Sequence, residues 1–329
     1  MLIGVIGASF VITQYHTSVM FAPNIVGTAN ATTAGWGNLG GGVTQAVMPL
    51  ILAAVVTFGT PAVLGWRVAM VIPGVLLFLT GILYYFVTQD APDGNYKELR
   101  AKGEMPEAKA SRGTFLEAVK DPRVVALFFI CAACFGIELT INGTAALYFF
   151  DRYGLGLATA GLVASLFGLM NLFARSLGGI FSDQLNKTGG LKNRVRFLFV
   201  CVFLEGIALM FFSQLLALAI AIPALIVFSL FVQMSEGSTF AIVPYINKRS
   251  LGAVAGIVGA GGNFGAMIAG FLFRRDTSFY SQSYLILGIC VTIIAFVAFA
   301  VRFSEQDERV ALEETNARLA GSGEFAAGD

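Results

Sequence analysis

Apolar positions in this chain run on without alternating. Nine stretches stay apolar for close to 20 residues or longer, the length a helix rising ~1.5 Å per residue needs to cross a ~30 Å hydrocarbon core. They fall at 1–22, 29–57, 67–88, 124–149, 156–182, 195–213, 216–243, 251–273 and 280–302. Each is expected to be helical, because lipid offers backbone groups no outside partner. The longest polar interruption, 89–123, carries seven Lys or Arg and seven Asp or Glu. It reads as a solvated linker between two helix bundles. From Ser304 the chain turns polar, predicting a short helix followed by disorder.

Composition strengthens that picture. Of 329 residues, 57% are hydrophobic, and the mean hydropathy is +0.78. Only 12% are charged, about half the ~25% of a soluble domain. These figures exclude a soluble globule and define a polytopic membrane protein. A net charge of +1 gives no electrostatic reason for a nucleic-acid partner. Charge in the loops orients the chain. With 89–123 inside, the loops near 183–196 and 244–250 and the tail also fall inside, and together hold 16 Lys or Arg. The outside loops hold four: Arg67, Arg152, Arg274 and Arg275. Central loop and C-terminus are therefore expected in the cytoplasm.

Gly35-x-Gly37-x-x-Gly40 has the letters of a dinucleotide-binding turn. Such a turn needs a preceding strand and an acidic residue ~20 positions on. Here the glycines lie inside an apolar helix, and the next acid is Asp90, 50 positions after Gly40. Small residues in a membrane helix serve close helix packing, alone or together with exposure of backbone to a small substrate. Gly37-Asn38-Leu39-Gly40 in span two has a twin, Gly262-Asn263-Phe264-Gly265, in span eight. Each follows a segment that ends in a proline, Pro23 or Pro244. Copies six spans apart in one orientation indicate two parallel six-helix halves, with Asn38 and Asn263 directed to one central site. Three spans precede the central loop and six follow it, so the first three spans of the first half are expected to be absent from this chain.

Polar residues inside spans carry the candidate chemistry. Arg175 lies near the middle of span five, where a guanidinium needs a partner or water. Its planar fork suits a planar oxyanion, or it pairs with a buried Glu. Glu138, Glu205 and Glu236 also lie within spans. Glu138 is the preferred proton-coupling residue, the alternative being a carboxylate that orders the bundle. Gly179-x-x-x-Asp183 followed by Arg194 and Arg196 could latch an inner gate by charge pairing. Tyr15, Phe21, Phe135 and Phe173 could wall a small pocket. His16, the single histidine, is expected to be a hydrogen-bonded polar residue near the inner interface. Cys131-x-x-Cys134 sits in an apolar run without a second pair and reads as helix packing. No cofactor or metal is expected, since one His with no suitable partners argues against a haem or flavin oxidoreductase.

The segments TSVMFAPNIVGTANATTAGWGNLGGGVTQAVMP, YFFDRYGLGLATAGLVASLFGLMNLFARSLGGIFSD and STFAIVPYINKRSLGAVAGIVGAGGNFGA resemble the nitrate/nitrite porter family of the major facilitator superfamily, in its high-affinity nitrate branch. AGWGNLGGG is similar to the first nitrate signature and GAGGNFGA to the second. The resemblance implies an all-α major facilitator fold with nine of twelve transmembrane helices present. Residues 1–88 would be the last three spans of the first bundle, 89–123 the cytoplasmic loop, 124–303 the second bundle and 304–329 the tail.

The resemblance also implies a plasma-membrane transporter of nitrate, and of nitrite as a second substrate, working by rocker-switch symport with protons. In the family the anion sits between two arginines, one per half. Arg175 matches the second, and the first belongs to a span absent here. Phe135 matches an aromatic near the anion, Tyr15 an aromatic of the first half, and Asn38 and Asn263 the signature asparagines. Gly37, Gly40, Gly262 and Gly265 complete the expected substrate site. Cys131 stands where the exchanger branch has a tyrosine, which favours proton coupling. An accessory membrane subunit remains an open partner. The rival readings are a nitrate/nitrite exchanger and, from another class, a non-transporting sensor or accessory protein. The chain on its own is expected to transport poorly.

Overall fold

Helices lie within each of the apolar runs, over the residues described. The computed structural model describes residues 8–22, 24–103, 114–247 and 250–313. The start of the first expected span, loop residues 104–113 and the tail beyond 313 lie outside the described residues. Helix α1 spans Ala8–Met20, α2 Val26–Thr57 and α3 Ala62–Val87. Two short helices follow in the polar linker, α4 Tyr96–Ala101 and α5 Thr114–Lys120. Then come α6 Pro122–Tyr153, α7 Leu157–Leu169, α8 Ala174–Ser213, α9 Leu218–Ile242, α10 Leu251–Gly270 and α11 Tyr280–Ala295. Residues 305–313 form the expected tail helix.

Local chemistry sets the boundaries. Asp121 caps α6 by accepting the Arg123 amide, Pro122 occupies the first turn, and Gly154 closes the helix at φ 64°. Among the described residues, seven helical runs are long and apolar enough to cross a membrane. One of these, Leu157–Ser213, is 57 residues long and is more than one span. Gly189 and Gly190 break it, Gly190 at φ 67°. Phe181 and Phe197 would lie ~24 Å apart along a straight helix, yet their ring centroids are 6.2 Å apart. The chain therefore reverses at the two glycines. The polar loop expected near 183–196 is mostly helix, because polar side chains past the bilayer do not stop a helix, whereas a glycine pair does.

Span five, expected as one uninterrupted helix, also differs. A 3-10 turn at Met170–Leu172 separates α7 from α8, and Phe173 at φ −136° is not helical. This kink turns Asn171 and Arg175 toward the interior.

Helices α6 to α11 enclose an apolar core that includes Leu127, Ile130, Phe167, Leu198, Phe228 and Val258. Helix α9 lies along α8, and α10 along α6. Helix α2 packs across α7, α8 and α9, and α1 lies against α10, so the first group of helices meets the second through both. Helix α3 exposes large apolar residues on most sides, among them Phe78, Leu83 and Phe86, a surface suited only to lipid or to other helices.

Candidate functional site

Backbone proximity creates the site. A Cβ on Gly35 would lie 2.7 Å from the Asn171 carbonyl, and one on Gly42 would lie 2.5 Å from the Leu169 nitrogen. These two glycines, seven residues apart, share a face of α2 and let it press on the α7–α8 kink. Gly178 and Gly237 do the same between α8 and α9, where a Cβ on Gly237 would strike the Arg175 carbonyl. Gly262 and Gly265 of α10 admit the Phe135 ring and the Ala132 carbonyl of α6. The twin pattern does not extend to Gly37 and Gly40, where a Cβ would meet nothing within 4 Å. The tight contacts of the first motif belong to Gly35, Gly41 and Gly42 instead, since Gly37 and Gly40 lie on other faces of the helix.

Four helices converge on Arg175, which has no exposed surface. Its Nη1 pairs with Glu236 of α9 and lies 3.5 Å from Glu138 of α6. Glu138 also accepts from Asn171 Nδ2 at 2.6 Å and from Asn38 Nδ2, on α2, at 3.2 Å. Nearby Ser235 Oγ donates to Glu205 at 2.6 Å. The other edge of the guanidinium, Nε and Nη2, is buried without a hydrogen-bond partner among the described residues. The ion-pair reading of Arg175 therefore applies to one edge. Nη1 is an ion-pair donor, and the Nε–Nη2 fork is presented free.

Beside this cluster lies a cavity of about 420 Å³ lined by Phe10, Asn38, Phe135, Leu139, Gly256 and Asn263, among others. Asn38 and Asn263, the paired asparagines of the two motifs, thus reach one space. The rings of Phe10 and Phe135 stack at 5.4 Å, and lie 5.7 and 6.0 Å from the Arg175 guanidinium carbon. Both rings line the cavity and Arg175 does not, so the stacked pair stands between them.

Phe10 takes the place expected for Tyr15. Tyr15 sits beside Gly252 and hydrogen-bonds Tyr96, whose phenol is pushed up to about 12 by burial and by that bond. Phe21 and Phe173 are exposed and do not line the cavity. His16 accepts or donates to Tyr84 Oη at 3.1 Å and bonds the Gln89 carbonyl at 2.7 Å, as expected of an interfacial polar residue. Cys131 and Cys134 are buried free thiols.

The expected charge pair forms between Asp183 and Arg194. Asp183 accepts from the Thr28 amide at 2.7 Å and the Thr28 hydroxyl at 2.6 Å, and pairs with Arg194 Nη2 at 2.7 Å. Arg194 is fully buried, donates to Ser182 at 3.1 Å and lies over the Tyr245 ring at 5.0 Å. Gly179 lets α2 approach, since a Cβ there would sit 2.5 Å from the Gly27 carbonyl. Arg196 does not join. It is exposed and bonds Asn193 at 3.4 Å, apart from the Asp183–Arg194 pair, because two residues along a helix point to opposite sides. Sequence reasoning missed Phe10, Thr28 and Asn171 as site residues. Asn171, a polar residue four before Arg175, carried a signal, whereas Phe10 is one of 30 phenylalanines and carried none.

Two groups of apolar helices packed together through α1 and α2, with a buried arginine beside a cavity reached from two repeated motifs, have the build of a membrane transporter. The sequence model of the Major Facilitator Superfamily matches residues 1–270, and the chain belongs to that superfamily. Among curated proteins it is 39% identical over 276 residues to High affinity nitrate transporter 2.5 of Arabidopsis thaliana, covering 84% of this chain and 55% of that one. It is 38% identical over 278 residues to Nitrate transporter 2.1 of Chlamydomonas reinhardtii, covering 84% and 51%. It is 28% identical to the Nitrate/nitrite transporter NrtP of a Picosynechococcus strain, covering 81% and 65%. The chain thus spans about half the length of the curated plant and algal relatives it matches.

Proposed function

We propose that this chain forms the anion-handling part of a nitrate transporter, with nitrite as a second substrate, operating in the plasma membrane by alternating access. The observation that carries the reading is the free Nε–Nη2 fork of buried Arg175, screened by the Phe10–Phe135 pair from a cavity that Asn38 and Asn263 both line. The similarity to proteins named as nitrate transporters supports it. Transport, not enzymatic conversion, is the activity assigned.

In this reading α1 to α3 end one bundle and α6 to α11 make the other. The loop around 89–103 and the Asp183–Arg194 latch face the cytoplasm, where the Lys and Arg residues concentrate. Nitrate enters the cavity from outside, meets the two asparagine amides, and reaches the Arg175 fork once the aromatic rings part. A planar three-oxygen anion fits a planar two-donor edge. Protonation among the carboxylates around Arg175, where the sequence points to Glu138, drives symport. The halves then rock about this site, and the Thr28–Asp183–Arg194 contacts open as the inner end does.

Arg175→Lys keeps the charge and removes the fork. It is expected to weaken nitrate binding by about 10- to 100-fold, the equivalent of ~1.5–3 kcal/mol of charge-assisted hydrogen bonding. Titration of nitrate into the purified protein reads this directly, and an unchanged affinity removes Arg175 from the site.

A further inference from the structure

We infer that Glu236 is the proton-binding residue of this site, so that anion binding at Arg175 and proton uptake on Glu236 are one event. The inference rests on the nitrate reading above and names the group that does the coupling.

Two carboxylates, Glu236 and Glu138, converge on one nitrogen, Nη1 of Arg175. The enclosed cluster therefore already holds one negative charge in excess of its single cation. A nitrate on the opposite Nε–Nη2 edge adds another, in a volume where Arg175, Glu138 and Glu236 have at most 1% exposure. Adding buried negative charge without a counter-charge is costly, and uptake of one proton by a carboxylate returns the cluster to the net charge it held before the anion arrived. Among the described residues, no other Lys or Arg forms an ion pair with either carboxylate. Helices α2 and α7, over 26–57 and 157–169, contain no titratable residue. From α6 the facing groups are Cys131 and Cys134, and from α8, beside Arg175 itself, Glu205.

The two carboxylates are not equivalent as proton acceptors. Both oxygens of Glu138 are engaged by amide donors, Oε1 by Asn171 and Oε2 by Asn38. Glu236 faces Arg175 through Oε2, and its Oε1 is buried without a hydrogen-bond partner among the described residues. A new O–H bond forms there without displacing a donor. The proton comes from solvent when the anion arrives and leaves with it. Glu138, the residue singled out by the sequence, then serves to hold Asn38 and Asn171 in place.

Calorimetric titration of nitrate into the full chain in lipid nanodiscs tests this, run in two buffers of different ionisation heat from about pH 5 to 8. Wild-type protein is expected to take up a proton on binding, with affinity falling about tenfold per pH unit in the upper part of that range. Glu236→Gln is expected to bind nitrate with no proton uptake and a flat pH profile, whereas Glu138→Gln retains the uptake. Wild-type binding without proton uptake overturns the inference and leaves the nitrate reading intact, as does uptake that survives in Glu236→Gln. Should Glu236→Gln fail to fold, loss of uptake in Glu138→Gln overturns the assignment to Glu236. No nitrate binding at any pH removes both.

Discussion

Arg175 and Arg194 are among the largest side chains with no exposed surface, and both sit on α8. Their partners separate them. Among the described residues, Arg175 keeps one edge without an acceptor, as the proposed anion site requires. Arg194 is tied to Asp183, Ser182 and Tyr245, as a structural latch requires. Asp183→Asn leaves that buried guanidinium without its carboxylate, and is expected to destabilise the protein by about 3–5 kcal/mol. Arg196→Ala, two residues from Arg194 but exposed, is expected to change stability by less than about 0.5 kcal/mol. Thermal unfolding in detergent compares the two, and equal costs would dismiss the latch.

At the scale of elements, glycine placement decides which helices touch. Gly262 receives the Phe135 ring, whereas Gly37 faces open space. Gly262→Ala forces that ring aside and is expected to cost about 1–3 kcal/mol. Gly37→Ala meets nothing and is expected to be neutral, or to add up to about 1 kcal/mol through helix propensity. The difference between their unfolding temperatures checks the contact, and a costly Gly37→Ala would show that α2 packs through that face. The α6 cap adds a pH term outside the membrane. Burial alone would raise the Asp121 pKa, but the hydrogen bonds and charge of Arg123 outweigh it and hold the carboxyl below its usual range. Its contribution is complete above the ordinary carboxylate range and is lost as pH falls through the lowered folded value. Asp121→Asn should therefore lower the unfolding temperature at neutral pH and leave it unchanged in strong acid.

For the whole molecule, charge distribution and the cross-bundle helix matter most. The 16-to-four division of loop cations predicts a cytoplasmic central loop. A Gly94→Cys thiol is expected to react with a membrane-impermeant reagent only after cells are opened, and a Thr277→Cys thiol in intact cells, each measured above the parent chain. The reverse pattern would invert the topology. Helix α2 packs against α7, α8 and α9 and carries Thr28, Asn38 and Gln45 to partners on the facing helices. Movement of the two groups of helices must therefore break contacts along α2, together with those of Phe10 on α1.

How much of this was legible in the sequence follows from what each feature depends on. Long apolar runs determine helices because lipid leaves the backbone no alternative, and the twin asparagine motifs pointed to the one cavity that Asn38 and Asn263 both line. Arg175, Glu138 and Asp183 stood out as charges in apolar surroundings, since burying a charge demands a reason. The tertiary structure alone decided the rest. It set the reversal at Gly189–Gly190, the kink at Met170–Leu172, the choice of Phe10 over Tyr15, and the exclusion of Arg196, Gly37 and Gly40. Each of these turns on helix rotation by a fraction of a turn, or on a neighbour distant in sequence. Hydropathy averaged over a span carries no record of which face a residue occupies, and only packing against α6, α8 and α10 resolves it.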